Sequence, residues 1–359
     1  MPKLIEASAP GKLYIAGEYA VVEPGHSAIL VAVNQFIKAS IRKTEKRGSL
    51  HSLQFTKKPI PWDRKDSHIV LKENNQYFQY ILKAIELTES YVQELGKTLS
   101  FYDLIIDSEL DNDSGLKYGL GSSAAVTVST IRALCRFYGV EETDLLIFKL
   151  SALAQLALKS NGSLGDVAAS VSTGWVSYTS VDRVWVGEQM KQKTISEILA
   201  LEWPHLDIKS LTPPEDMQLI IGWTGSPAST THLVDQVKNK SGQQLINYQD
   251  FLTESNLCVN QMVEGFESSN IALIQRGIRQ NRKLLNQLAS LTGVDIETAT
   301  LTILCDLAEK AGGAAKSSGA GGGDCGIAIF GPDLSLNDLY NQWENNQITA
   351  LPLKVYTKN

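Results

Sequence analysis

The chain has 359 residues and a formal net charge of −6, with 43% hydrophobic and 20% charged residues. These proportions are typical of a globular protein with room for about two domains. The acidic balance argues against nucleic acid as the main partner, because neutralising phosphates requires a basic face.

The N-terminus and the cysteines indicate a cytoplasmic protein without a membrane segment. Lys3 and Glu6 lie among the first residues, and no long apolar core follows, so a signal peptide is not expected. No apolar stretch is long enough to span a bilayer. The four cysteines are scattered without metal-ligand spacing, which favours reduced thiols. Cys325 lies in a glycine-rich segment and leaves a catalytic thiol open as an alternative, although no histidine-rich segment supports it.

Hydrophobic patterning predicts strands at the start of the chain and a mixture of helices and strands from residue 76 onward. Residues 28–33 form a continuous apolar run, and apolar and polar residues alternate over 37–42, which is typical of strands. Residues 44–75 are polar and predict a hairpin and a loop. The other expected elements of this part are strands at 4–9, 13–16, 101–107 and 174–179 and helices at 76–95, 122–138 and 142–159.

The pair Pro213-Pro214 is the clearest boundary signal in the chain. It predicts one domain over 1–212 and a second over 213–359. The elements expected after it are a strand at 217–223, mostly helix over 228–312, a strand at 327–330, a helix at 336–345 and a last strand at 351–356.

The segment 118–128, YGLGSSAAVTV, predicts a cradle for an anion. Gly119 and Gly121 can adopt positive φ, and Ser122 and Ser123 are good N-cap residues for the helix that follows. The free N–H groups and the positive dipole end of a helix start attract phosphate. Serine hydroxyls there can also bind phosphate oxygens or Mg²⁺.

Other interpretations of this segment are a plain connection or a dinucleotide fingerprint. Gly119, Gly121 and Ala124 fit G-x-G-x-x-A. That fingerprint requires an acidic residue at the tip of a second strand about twenty residues on. Glu141 and Glu142 are at that distance but open a predicted helix, so we reject a nicotinamide or flavin site. A Walker A loop is absent from the sequence.

Two single residues are candidates for phosphoryl-transfer chemistry. Lys12 follows Pro10-Gly11 on an apolar strand, where it is either a strand-end lysine with its head in solvent or a cation near a transferring phosphoryl group. Asp166 stands at a turn-to-helix junction, where it is either an N-cap or the residue that orients the attacking oxygen.

The segment 316–326, KSSGAGGGDCG, is the richest in glycine. Such a run is entropically costly unless a turn or a close backbone approach requires it. A flexible linker is the alternative, but a hydrophobic strand follows directly, which favours a shaped loop.

Taken together, these segments resemble the three motifs of the GHMP kinase superfamily. The motifs match residues 10–25, 119–129 and 316–328, in that order. Within the superfamily the chain is most similar to the phosphomevalonate kinases of the bacterial type, through these motifs and through residues 161–170 and 222–234.

The resemblance implies a two-domain α+β fold, with a ribosomal-protein-S5-like N-terminal domain and a ferredoxin-like C-terminal domain. It implies ATP- and Mg²⁺-dependent phosphorylation of 5-phosphomevalonate to 5-diphosphomevalonate, in a cytoplasmic monomer or homodimer. Mevalonate kinase and diphosphomevalonate decarboxylase are the alternatives within the superfamily. A relative without catalysis that senses metabolites is the alternative outside enzymes.

The resemblance also assigns site residues by motif position. Lys12 and Asp166 are the expected catalytic residues, and Ser123 is the expected magnesium ligand. ATP is expected to contact Lys117, Gly119, Leu120, Gly121, Ser122, Ser123 and Ala124. The acceptor is expected to contact Lys12, Glu18, Tyr19, His26, Ser163, Ser318, Gly319, Ala320, Gly321 and Gly322.

One position departs from the related mevalonate kinases. These carry a magnesium-binding glutamate on the helix before the catalytic aspartate, where this chain has Gln155. The metal is therefore expected to rest on Ser123, the phosphates and water. Lys117, Arg282 and Lys283 are available cations for the two anionic substrates.

Overall fold

A computed structural model describes residues 3–66, 68–72, 78–110, 118–226, 233–237, 245–332 and 334–358. The fold is α+β, with one sheet before Pro213-Pro214 and a second sheet after it. The domain boundary stays a prediction. It falls between the last strand of the first sheet, Asp207–Leu211, and the first strand of the second sheet, Gln218–Trp223.

The larger sheet has eight strands within the described ranges. They are β1 (Leu4–Ala16), β2 (Ser27–Thr44), β3 (Gly48–Ser52), β4 (Ile60–Lys65), β5 (His68–Leu71), β6 (Phe101–Ser108), β7 (Trp175–Thr179) and β8 (Asp207–Leu211). The long strand β2 pairs antiparallel with β1 and, through its two halves, with β7 and β6. The polar stretch after residue 44 forms three strands that pair antiparallel in sequence order, so it contains the expected hairpin and one strand more.

The break predicted at Pro10-Gly11 is a β-bulge within one continuous strand. The register between β1 and β2 shifts between Pro10 and Gly11. A Cβ at Gly11 would lie 2.8 Å from Leu110 and 3.0 Å from the Leu120 carbonyl, so the strand packs closely on the segment leading to the cradle. The bulge, which re-aims the side chains of its strand, immediately precedes Lys12.

Helices also lie in this half of the fold, where some pack directly on the larger sheet and others pack on those helices. They are α1 (Gln79–Glu94), α2 (Ser122–Tyr138), α3 (Asp144–Ala157), α4 (Gly165–Ser172), α5 (Arg183–Gln192) and α6 (Ile195–Ala200). The helix α2 is buried along Ala124, Val128, Ile131 and Leu134. Spacing of this kind places apolar side chains on one helix face.

The smaller sheet has the strand order β10-β11-β9-β12, and its neighbouring strands are antiparallel. Its strands are β9 (Gln218–Trp223), β10 (Ala314–Ser317), β11 (Cys325–Phe330) and β12 (Thr349–Leu351). The helices of this half are α7 (Leu245–Glu267), α8 (Ile271–Thr292), α9 (Ala299–Lys310) and α10 (Asn337–Asn345). Each half of the fold therefore combines one sheet with its own helices, as expected for two α+β domains.

The last residues of the chain return to the larger sheet. The N–H of Asn34 donates to the Lys354 carbonyl at 2.9 Å, and the N–H of Gly174 donates to the Tyr356 carbonyl at 2.7 Å. This return ties the two halves together near the start of the chain. Among the described helices, none combines the length and apolar character needed to cross a membrane.

Candidate active site

The predicted cradle is the N-terminal end of α2. Gly119 and Gly121 have φ of 77° and 79°, which is the left-handed region that favours glycine. The N-cap is Gly121 rather than a serine, and no side chain caps the helix. Ser122 and Ser123 are therefore the first helical residues, and both are partly exposed. An uncapped helix start directs N–H groups and a positive dipole outward, which suits an anion.

Both glycines also have a steric reason to lack a side chain. A Cβ at Gly121 would lie 2.8 Å from Cε of Lys12. A Cβ at Gly119 would lie 2.5 Å from the carboxylate of Asp324, in the third motif. The cradle is thus bounded by one cation from the first motif and one carboxylate from the third.

Lys12 is the cation of the site. Only 8% of the residue is exposed, and its Nζ donates to the Gly119 carbonyl at 3.3 Å and lies 5.5 Å from the centroid of the Tyr14 ring. Burial lowers the pKa of Lys12, and the charges of Asp166 and Asp324 oppose that shift. The reading of Lys12 as a strand-end lysine with its head in solvent is wrong.

Asp166 belongs to the same electrostatic group. Burial raises the pKa of Asp166, while the Lys12 charge and the Val167 N–H oppose the rise. Its Oδ1 accepts from Val167 N at 2.9 Å, but the N-cap of α4 is Leu164, in the left-handed region at φ 70°. A capping role alone therefore does not account for Asp166.

Tyr14 links Lys12 to the turn that carries Asp166. Lys12 and Tyr14 are two residues apart on one strand, so their side chains share a face. The Tyr14 hydroxyl lies 2.8 Å from Oγ of Ser163, which also accepts from the Gly165 N–H at 3.2 Å. A Cβ at Gly165 would lie 2.7 Å from the Tyr14 hydroxyl, so this turn requires a glycine.

Arg183 holds the same turn from its other side. Its guanidinium donates to the carbonyls of Asn161, Gly162 and Val22 at 2.6–2.7 Å. Burial lowers the pKa of Arg183. Arg183 therefore connects the C-terminal part of the first motif to the loop before Asp166.

The third motif is a shaped loop, not a flexible linker. Ser318 Oγ accepts from Tyr14 N at 3.0 Å and donates to the Tyr14 carbonyl at 2.9 Å. Gly321 has a φ of 69°, and a Cβ there would lie 2.0 Å from the Ile296 carbonyl. The Gly322 N–H donates to that carbonyl at 2.9 Å.

Two other predicted acceptor residues, Glu18 and Tyr19, contact this loop. The Tyr19 hydroxyl donates to the Ala320 carbonyl at 2.5 Å. Glu18 is 2% exposed, and its carboxylate accepts from Lys316 and, at 3.3 Å, from the Gly319 N–H. His26 is partly exposed, and its Nδ1 lies 3.3 Å from the Pro24 carbonyl. Direct contact of these residues with a substrate stays a prediction.

The comparisons with known proteins agree with this geometry. Residues 79–174 match the GHMP kinases N-terminal domain, and residues 262–348 match the GHMP kinases C-terminal domain. A phosphomevalonate kinase of Streptomyces sp. strain CL190 is 36% identical over 98% of this chain and 97% of its own. The chain belongs to the phosphomevalonate kinases of the GHMP kinase family.

Solved structures extend the likeness to three dimensions. A Listeria innocua protein is 38% identical, with a TM-score of 0.92 over 99% of this chain and 98% of its own. Streptococcus pneumoniae phosphomevalonate kinase, solved with phosphomevalonate and AMPPNP, is 30% identical, with a TM-score of 0.87 over 98% of this chain and 100% of its own.

Some residues of the site are not indicated by the sequence motifs. Two cations that the sequence offered for the substrates find no support in the structure. Tyr14 and Asp324 lie within motifs and Arg183 lies outside them, and none of the three has a distinctive local pattern. Arg282 donates to Glu297 and Asp306 at 2.6 and 2.7 Å, so its charge is already paired. Lys117 lies outside the described residues.

The donor atoms of this phosphomevalonate kinase fit a metal held mainly by nucleotide. Among the described residues, no group of His, Cys, Asp or Glu side chains could hold a metal ion alone. Gln155 is buried in α3, and its Nε2 has no hydrogen-bond partner within the described part of the chain. Hard oxygen donors are nevertheless present at Ser123 and in the carboxylates of Asp166 and Asp324, and Mg²⁺ commonly combines few protein ligands with phosphates and water.

The alternative of a catalytic thiol at Cys325 finds no support. Cys325 is buried, its Sγ donates to the Tyr118 carbonyl at 3.2 Å, and burial raises the pKa of the thiol. A thiol in that environment stays protonated, and the thiol is a poorer nucleophile than the thiolate.

Proposed function

We propose that this chain moves the terminal phosphoryl group of ATP to the phosphate of 5-phosphomevalonate, with Lys12 and Asp166 as its catalytic residues. The observation that most supports these roles is the meeting of Lys12, Asp166 and the mouth of α2, which come from three separate motifs. The S. pneumoniae relative, a phosphomevalonate kinase solved in complex with phosphomevalonate and AMPPNP, supports this choice of substrates.

In this proposal the backbone of residues 119–124 binds the ATP phosphates. Lys12 stabilises the charge that spreads over the transferring phosphoryl oxygens, because a buried cation acts more strongly there than in water. Ser123 supplies a hydroxyl to Mg²⁺, which when bound neutralises charge on the nucleotide phosphates. The loop 318–322 covers the acceptor together with Glu18, Tyr19, His26 and Ser163.

Asp166 serves here to orient groups more than to remove a proton. The acceptor is itself a phosphate, which is already ionised near neutral pH, so its oxygen needs little deprotonation. The carboxylate favours the charged form of the Lys12 ammonium, because its negative charge opposes the effect of burial on the pKa of Lys12. Enzymes stabilise the loose transition state of phosphoryl transfer mainly by positioning groups and by electrostatic interactions. A carboxylate that orients groups is consistent with this chemistry.

The test is turnover with a panel of acceptors. Purified protein with ATP and Mg²⁺ is expected to release ADP with phosphomevalonate and to form a diphosphate product detectable by mass spectrometry. Mevalonate, homoserine and galactose serve as comparators. ADP release with one of these and not with phosphomevalonate would overturn the proposal. Nucleotide binding without any turnover would instead favour a metabolite sensor.

A further inference from the structure

A buried ion pair connects the first motif to the third. Lys316 is fully buried at the end of β10, and its Nζ donates to the carboxylate of Glu18, which is 2% exposed. The two residues are 298 positions apart, and they lie in different halves of the fold. The pair therefore joins the two domains at the edge of the site.

Glu18 and its neighbour Tyr19 bind two consecutive residues of the glycine-rich loop. The same carboxylate oxygen that accepts from Lys316 also accepts from the Gly319 N–H at 3.3 Å. The next loop carbonyl, at Ala320, accepts from the Tyr19 hydroxyl at 2.5 Å. Two consecutive loop residues are thus fixed by two consecutive residues of the first motif.

Backbone strain at Tyr19 fixes the directions of the Glu18 and Tyr19 side chains. Tyr19 has a φ of 64°, a conformation that a bulky residue rarely adopts without support from its surroundings. It directly follows Glu18 and precedes the short helix Ala20–Val22. Such strain is retained where side chains must point in a set direction.

Stability alone is a weak reason for this arrangement. A buried ion pair often stabilises a fold no better than apolar side chains of similar volume. An apolar pair would fill the same space, but it would leave the Gly319 N–H without its acceptor.

We propose that Glu18 and Lys316 are positioning residues that set the glycine-rich loop 318–323 in its substrate-covering geometry. They act through the loop, because the Glu18 oxygen that accepts from Lys316 also accepts from the Gly319 N–H. This inference rests on the proposed function, which places the loop beside the substrates. It assigns Glu18 a role that acts through the loop instead of a direct contact with the acceptor.

The test compares two double variants. In Glu18→Leu/Lys316→Met the charges leave together and the volume is roughly kept. In Arg64→Met/Glu89→Leu the pair removed is a second buried one, joined at 2.6 Å between β4 and α1, outside the site loops. The control also loses the carboxylate that accepts from the Tyr102 and Tyr138 hydroxyls. It therefore shows how much a loss of folding stability away from the site lowers kcat.

The first variant is expected to lose about tenfold or more in kcat, because small displacements of positioning groups are costly. Its ATP Kd should change less than threefold, since the cradle is untouched. Amides of 319–323 should exchange with deuterium about tenfold faster, read by mass spectrometry. The control should keep kcat within about twofold and leave exchange of this loop unchanged.

Wild-type kcat and wild-type loop exchange in the Glu18→Leu/Lys316→Met variant would overturn the proposal. If that variant fails to fold, Glu18→Gln keeps the side-chain volume and replaces the charge-assisted bonds from Lys316 and the Gly319 N–H by weaker bonds to a neutral amide. It is expected to speed loop exchange and to lower kcat about threefold, and no change in either would equally overturn the proposal. A wild-type protein inactive on phosphomevalonate would instead contradict the proposed function, and the exchange measurements would still test the loop.

Discussion

Lys12 and Lys316 are both buried where the two domains meet, but their surroundings differ. Lys316 is matched by the adjacent carboxylate of Glu18, so its charge is balanced within the protein. Lys12 donates to a carbonyl at 3.3 Å, and burial lowers its pKa. A buried cation whose charge the protein compensates only in part is suited to an incoming anion, whereas a fully paired cation is suited to holding structure.

Lys12→Met gives the sharpest test of this comparison and the largest expected effect. We expect kcat to fall about 10³-fold, because one charge that acts in the transition state is removed. ATP binding, measured by calorimetry, should weaken far less. A loss of equal size in kcat and ATP affinity would show a binding role only.

The same variant should differ from Lys316→Met in stability. Because the folded-state pKa of Lys12 is lowered, its charge costs folding free energy at any pH below that pKa, and this cost fades as the pH rises through it. Lys12→Met is therefore expected to lower Tm at pH 7 less than Lys316→Met does, because removal of this cost offsets the loss of a countercharge for Asp166. Lys316→Met should lower Tm, because it leaves the Glu18 carboxylate buried without its partner. Equal losses of Tm would remove the distinction between the two lysines.

Asp166→Asn is expected to lower kcat about 10²-fold with little change in Tm. Because burial raises the pKa of Asp166, the carboxylate takes up its proton at a higher pH than a free aspartate. Wild-type kcat should therefore fall as the pH decreases through that raised pKa, and the asparagine variant should lose this acid limb. An unchanged acid limb would assign it to another group. Near-normal turnover would return Asp166 to a structural role at the start of α4.

Tyr14→Phe should have a smaller effect. It removes one hydrogen bond, to Ser163 Oγ, of about 1 kcal/mol, and the Ser163 turn keeps its bond to Gly165 N. We expect kcat to fall about fivefold, because the turn that carries Asp166 is held less firmly. Tyr340→Phe, at a partly exposed tyrosine of α10, is the matched control and should not change kcat. Equal kcat in the two variants would show that Tyr14 does not position the turn.

Cys325→Ala should have the smallest effect, with kcat within about threefold of wild type, because its buried thiol is protonated. Cys305→Ala, at another buried cysteine, is the control for packing loss. If Cys325→Ala lost turnover while keeping a normal Tm, and Cys305→Ala kept its turnover, the result would support a nucleophilic role for Cys325.

The sequence by itself determined the family, the fold class and the positions of the motifs. Local rules sufficed for the cradle, because positive φ at Gly119 and Gly121 and the start of α2 depend on neighbouring residues. The same rules misplaced the N-cap at the serines and divided β1 at Pro10-Gly11, because a bulge and a glycine cap depend on close packing against other segments.

Only the tertiary structure decided which side chains meet. The contacts of Lys12 with Gly119, of Tyr14 with Ser163 and of Glu18 with Lys316 join residues more than a hundred positions apart. No periodicity or spacing encodes such pairs, because they depend on how distant segments of the chain pack together, within one half of the fold or between its two halves. Charge compensation inside the protein, which distinguishes Lys12 from Lys316, becomes visible only once those contacts are known.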